Sequence, residues 1–226
     1  MLPNWSISGR ECRECRPYLG RAEADMTRAN AMSALANGLS AACYHEDALS
    51  VREAQLSMDL RLGACKHNML ISKGNLALTY KILGRYEEAL RLQRDVYSGW
   101  LKLKGEAYVE TLREANNYAS LLDSMKRFKE VKALLRRTIP VARRVLGDSN
   151  EFTLKMRWIY AEAIYYDEGA TLDNIREAVT TLEDAERIAR RVLGGAHPIT
   201  KGIHEGLRRA RAALHARETP SRGSPN

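Results

Sequence analysis

The sequence predicts an all-α fold, a right-handed superhelical solenoid of antiparallel helix pairs, and three observations carry that prediction. Apolar residues recur at three- and four-residue steps on both sides of Gly84 in GNLALTYKILGRYEEAL: Leu76, Ala77, Tyr80 and Leu83 before it, Tyr86, Ala89 and Leu90 after it. That is the spacing of one helix face on either side of a break. The pattern recurs with a period of about 42, for Gly63, Gly105 and Gly147 are each followed fourteen residues later by a small residue, Ala77, Ala119 or Ala161. The composition agrees: 2 Phe among 226 residues, with abundant Ala, Leu, Arg and Glu, favours helices over a sheet core rich in aromatic and β-branched side chains.

Taken in order, residues 1–29 form an N-terminal segment that is partly flexible or capping. They contain Cys12 and Cys15, a C-x-x-C with no second ligand pair at zinc spacing in His45 or His67, and read as reduced, silent thiols. The repeats occupy residues 30–216. In the first copy LANGLSAACYHEDAL superposes on LALTYKILGRYEEAL, matching Leu35 to Leu76, Ala36 to Ala77 and Ala48 to Ala89, without the helix-ending glycine. Next comes the hairpin about Gly84, a residue that accepts the left-handed backbone needed to close one helix and turn back.

Its successor, NNYASLLDSMKRFKEVK, aligns Asn117 with Asn75, Ala119 with Ala77 and Phe128 with Tyr86. A further step places Ala161 in IYAEAIYY, and RRVLGDSNEFT recurs downstream as RRVLGGAHPIT after five extra residues around YDEGATLDNIREAV. Gly169 and the capping candidates Thr171 and Asp173 assign those five residues to a longer turn. The small residue at a fixed place in each unit suits close helix crossing. A single pair leaves its apolar face bare, so neighbours must stack. GLRRARAALHA, residues 206–216, reads as a terminal capping helix, and residues 217–226 read as a flexible tail.

The residues also carry a resemblance. Asn75, Leu76, Ala77, Tyr80, Gly84, Tyr86, Glu88 and Ala89 resemble the tetratricopeptide consensus. The period, with NNYA and with VLGGAHP followed by Thr200, is similar to the longer variant of kinesin light chains and related repeat proteins. The resemblance covers roughly residues 30–214 and implies a protein–protein interaction module. Kinesin light chains carry a long heptad segment ahead of their repeats. Residues 1–29 contain no sustained apolar heptad, so the resemblance is to the repeat subfamily and not to the motor subunit itself.

No phosphate loop, zinc motif or nucleophile elbow occurs in the sequence, and the expectation is a protein that is not an enzyme and uses no cofactor or metal. His197, before Pro198, reads as structural. The formal net charge of +8 falls largely at helix ends, as in Arg143, Arg144, Arg190 and Arg191, where cations complement the helix dipole. No apolar run approaches the roughly 18 residues that span a bilayer, and no signal-peptide core is present, so the expected location is cytoplasmic.

The working part expected of such a solenoid is its concave wall. Carrying the tetratricopeptide pattern over by position, Leu76, Tyr118 and Tyr160 fall at buried places. The peptide-binding groove then holds Asn75, Leu78, Lys81, Arg113, Asn116, Asn117, Ser120, Lys155 and Glu162, with Ile71, Asp123, Trp158 and Tyr165 at neighbouring places. Asparagine amides both donate and accept, and so can hold an extended peptide whatever its sequence. Arg113 and Lys155 would attract acidic groups. Of the carboxylate-clamp set used by chaperone receptors, Asn37 and Asn117 match and the basic members do not. The partner expected is a protein or peptide, bound by a monomer or weak homo-oligomer. Self-association through residues 206–216 is the alternative within this class. An RNA-reading array is the alternative outside it, and Asp123 and Glu162 on the same wall argue against RNA.

Overall fold

The computed structural model describes residues 22–219. Its helices are α1 (Ala22–Ala41), α2 (His45–Arg61), α3 (Lys66–Ile82), α4 (Tyr86–Lys104), α5 (Val109–Ser124), α6 (Phe128–Leu146), α7 (Glu151–Tyr165), α8 (Leu172–Val192) and α9 (Pro198–Glu218). There is no strand among the described residues. Cys12 and Cys15 lie outside them. The all-α repeat architecture is as the sequence predicts. Helix α1 begins ahead of residue 30, and α9 continues through Arg217 and Glu218. The chain forms two compact units, Met1–Leu103 and Lys104–Asn226.

In the first unit the turn at Gly84 follows from its backbone. Gly84 has φ 75°, which lets Arg85 N–H donate to Tyr80 O at 2.8 Å and close the helix end. The first copy, which lacks this glycine, makes the same turn with Cys43 at φ 65° and Tyr44 N–H donating to Leu39 O at 2.8 Å. The thiol residue thus adopts a conformation that costs about 1 kcal/mol in an L-residue. Close crossing elsewhere depends on a missing side chain: a Cβ on Gly99 of α4 would collide with Leu70 of α3.

Helices α1, α2 and α3 meet through polar pairs as well as apolar ones. Gln55 Nε2 donates to Ser33 Oγ at 2.9 Å, Arg52 Nη2 to Asn37 Oδ1 at 2.9 Å, and Ser72 Oγ to Asp59 Oδ2 at 2.6 Å. Burial raises the Asp59 carboxyl above its ordinary value, and the Ser72 hydrogen bond opposes it. Burial lowers the Arg52 guanidinium.

In the second unit α5 packs on α6 and α7, α6 on α7, α7 on α8 and α9, and α8 on α9. Ala119 and Ala161 are fully buried, as a small residue at a helix crossing must be. Leu122, Val131, Leu135, Leu154, Ile175, Leu182 and Ile203 are likewise buried in this unit. Lys126 occupies the turn position equivalent to Gly84, with φ 58° and Arg127 N–H donating to Leu122 O at 2.9 Å.

The longer turn before α8 is held by Asp167, whose Oδ1 accepts from Gly169 N–H at 3.1 Å, and by a Thr171–Asn174 capping box. His197 is the N-cap of α9, its Nδ1 accepting from Ile199 N–H at 3.3 Å, and Pro198 follows in the first turn. Trp158 of α7 lies under two glycines of α9. A Cβ on Gly202 would come within 2.6 Å of Trp158 Cζ3, and one on Gly206 within 3.1 Å of Nε1.

Candidate functional site

Helices α5, α7 and α9 form one wall of the second unit, and the predicted residues divide into those that build the wall and those that face outward from it. Asn116 is buried, 6% exposed, and Arg113 has an 11% exposed side chain. Arg113 Nε lies 3.6 Å from Glu114 Oε1, and Nη1 lies 4.0 Å from Glu110 Oε1. Burial pulls its guanidinium down from the ordinary value, with Glu114 and Glu110 acting against the change. Its charge is therefore met inside the wall. Asn117, half-buried, donates from Nδ2 to Glu114 Oε2 at 3.2 Å. Ser120 and Asp123 follow it along α5 and are also half-buried.

On α7, Lys155 keeps a 36% exposed side chain, 3.8 Å from Glu151 Oε2. One helical turn beyond Trp158 stands Glu162. Burial raises its carboxyl above the ordinary value, and the negative charge of Asp123 across from it on α5 adds to the effect. The Trp158 indole N–H, the Tyr165 hydroxyl and Arg209 oppose it. Tyr165 O–H donates to Glu162 Oε1 at 3.2 Å, whereas the indole N–H points to the carboxyl without closing a well-formed bond.

Tyr165 and Tyr166 have ring centroids 4.4 Å apart, and Phe128 of α6 stacks on Tyr166 at 6.0 Å. Arg209 of α9 donates from Nη1 to Tyr166 Oη at 3.1 Å and from Nε to Glu205 Oε1 at 2.9 Å. Glu205, gripped also by Arg208, is held down to about 2. Arg209, Tyr166 and Glu205 are the members that sequence reasoning missed. They belong to the capping helix and to the adjacent-tyrosine pair, and no repeat-based pattern marks them.

In the first unit, α3 carries Asn75, Leu78 and Lys81, all half-buried. Thr79 Oγ1 donates to the main-chain oxygen of Asn75 at 3.2 Å. Beside them Tyr80 O–H donates to Glu53 Oε1 at 2.6 Å, and the Arg85 guanidinium lies 4.5 Å above the Tyr80 ring. Leu76 is buried, as is Tyr160, while Tyr118 is half-buried. Asn37 accepts from Arg52.

Among the described residues no group of three His, Cys, Asp or Glu side chains could hold a metal ion, and no helix is long and apolar enough to cross a membrane. The tetratricopeptide repeat family matches residues 68–144. Among solved structures the chain is similar to the nearly identical TPR-like repeats of a Podosopora anserina protein assigned to the kinesin light chains. A single-substitution variant of those repeats gives 21% identity over 84% of this chain and 88% of the other, with a TM-score of 0.71. A second structure of the same repeats gives 19% identity over 87% and 98%, with a TM-score of 0.68. BtubC (BKLC) from P. vanneervenii gives 14% over 96% and 92%, with a TM-score of 0.58. No curated protein matches the chain. These similarities establish a tetratricopeptide-type repeat fold.

Proposed function

We propose that this chain, whose residues 68–144 carry tetratricopeptide repeats, is a non-catalytic scaffold that binds a peptide segment of a partner protein in the concave groove of its repeats. Tetratricopeptide repeats commonly mediate protein–protein interaction, and groove binding is the finer reading advanced here. The observation that carries it is the pairing of two polar rows on packed helices. Asn117, Ser120 and Asp123 run along α5, and Lys155 and Glu162 along α7, with Asp123 close enough to raise the Glu162 carboxyl. A wall of this kind presents polar groups at helical intervals to an extended main chain, with the Asp123 and Glu162 carboxylates giving it a negative character. Asn75, Leu78 and Lys81 are the corresponding residues of α3. Arg113 and Asn116 support the wall from within.

The fate of α9 supports a capping role rather than self-association. Its apolar residues Ile203, Leu207 and Ala210 are already buried, and Arg208 and Arg211 are left outside, engaged with Glu205 and Glu183.

The test is to select binders from a displayed random-peptide library with the full chain, then measure them against the Asn117→Ala/Lys155→Ala variant. Loss of binding with an unchanged helical circular dichroism spectrum is the expected result. Undiminished binding by that variant would refute the groove assignment.

A further inference from the structure

Helix α6 presents a second surface, away from the wall of α5, α7 and α9. Its sequence, FKEVKALLRRTIPVARRVL, contains six basic residues, Lys129, Lys132, Arg136, Arg137, Arg143 and Arg144, against a single acid, Glu130. That one acid is taken by Arg127, whose Nε lies 2.6 Å from Glu130 Oε1. Two of the six cations are also matched, Lys132 by Asp167 and Arg143 by Asp148, and the Tyr160 hydroxyl near Arg136 raises its guanidinium above the ordinary value. Lys129, Arg137 and Arg144 are exposed and have no ion-pair partner among the described residues.

Their register is regular. Lys129, Arg136 and Arg143 follow one another at seven-residue steps, and so do Arg137 and Arg144. On an α-helix seven residues advance about 10.5 Å along the axis and return to nearly the same azimuth, drifting by about 20°. The outcome is two cationic rows on one face.

Between the rows lie Ala133 and Pro140, also a heptad apart and both exposed. Neither has a long side chain, so the strip between the rows is flat. Pro140 has no N–H to offer the Arg136 carbonyl, which leaves that acceptor open beside the strip.

We propose that this face of α6 docks an acidic amphipathic helix of a partner protein, one whose carboxylates recur every seven residues on either side of a small or apolar seam. Three features select this occupant. Helix axes approach to about 8–10 Å only where the residues between them are small, and Ala133 and Pro140 meet that condition. The cation rows keep the rise of a helical heptad, whereas same-face side chains of an extended strand repeat about every 6.6 Å and fall out of step. The strip holds no aromatic ring on which a nucleic-acid base could stack.

Two helical peptides of identical composition test this: one with glutamates in two heptad rows flanking an alanine seam, and one with the same glutamates scrambled out of register. Each is titrated into the full chain by fluorescence anisotropy, beside a single-stranded oligouridylate. The heptad peptide should bind about tenfold more tightly than its scrambled isomer, and Arg137→Glu/Arg144→Glu should lose at least about tenfold, corresponding to one or more matched charge pairs. Ala133→Leu, an exposed change that leaves every charge in place, should weaken the heptad peptide severalfold by holding the helices apart.

The groove variant Asn117→Ala/Lys155→Ala should bind the heptad peptide as the parent does. Equal affinity for the scrambled peptide, tighter binding of the RNA, or loss of binding in the groove variant would each overturn the proposal. Indifference of the affinity to both α6 variants would do the same.

Discussion

The seat of Trp158 beneath α9 sets up a test in which the sign of a stability change decides. Replacing a helical glycine by alanine ordinarily stabilises a helix by about 0.8–1.0 kcal/mol, because alanine loses less backbone freedom on folding. At Gly38 of α1 nothing lies within 4 Å of a built Cβ, so Gly38→Ala should realise most of that gain. At Gly202 the same methyl would come within 2.6 and 2.7 Å of Trp158 Cζ3 and Cζ2, and a Cβ on Gly206 would come within 3.1 Å of Nε1 on the opposite edge of the ring.

The indole therefore cannot slide along α9, and the overpacking cost of about 1–3 kcal/mol exceeds the propensity gain. Gly202→Ala should destabilise the protein by about 1–2 kcal/mol, lowering Tm by about 2–8 °C in a chain of this size. Thermal and urea unfolding followed by far-ultraviolet circular dichroism measure both variants. In the Trp158→Ala background the steric term disappears, and Gly202→Ala should become stabilising. If Gly202→Ala stabilises the otherwise unaltered chain as much as Gly38→Ala does, Trp158 is not seated beneath α9 and the close crossing of α7 and α9 is wrong.

Two further substitutions probe the turns and the wall. Lys126→Gly should stabilise by about 0.5–1 kcal/mol, because Lys126 sits at φ 58° where glycine carries little penalty, whereas Gly84→Ala at φ 75° should destabilise by a similar amount; equal signs in chemical denaturation would refute the shared-turn assignment. Glu162→Gln should raise stability at pH 7, because a carboxyl whose folded value lies above the unfolded 4.5 contributes stability that is complete below 4.5 and is lost as pH rises through the folded value. The advantage of the variant should therefore shrink as pH is lowered to 4.5, and a pH-independent advantage in urea titrations would show that Glu162 is not desolvated.

The hairpin at Gly84 was legible because glycine marks a left-handed backbone directly. The equivalent turns at Cys43 and Lys126 were not, since neither residue type signals that conformation and only superposition of the copies places them. The crossing alanines were legible from their spacing alone. The polar contacts of α1, α2 and α3 were hidden for the opposite reason: Arg52, Gln55 and Asp59 are buried, yet in a hydrophobic pattern they read as an outward face. Arg113 illustrates a different limit, because the carboxylates that engage it, Glu110 and Glu114, sit on its own helix. Position in the repeat assigned its side chain to the expected groove, and gave no sign of the charges already meeting it. Arg209 was missed because its role arises from the packing of α9 on α7, two elements separated by the longest turn insertion in the repeats.

The division between packing and wall residues has a consequence for how such a chain can recognise anything. At one register the crossing position holds Ala77, Ala119 and Ala161, all nearly or fully buried, and substitution there alters the distance between helices. The very next position holds Leu78, Ser120 and Glu162, and three beyond that stand Lys81, Asp123 and Tyr165. Each set of three shares a place in the repeat, and within each set the three side chains differ in chemistry. Since the alanines determine how closely the helices approach, the wall residues are free to differ without moving the scaffold. A uniform wall would bind a repetitive ligand and tolerate slippage by one repeat, because each register would present the same contacts. A wall that changes from serine on α5 to glutamate on α7 at equivalent places penalises every register but one. On the proposed groove reading, specificity follows from the difference between successive units, and exchanging Ser120 with Glu162 should alter peptide selection even though the composition of the wall is unchanged.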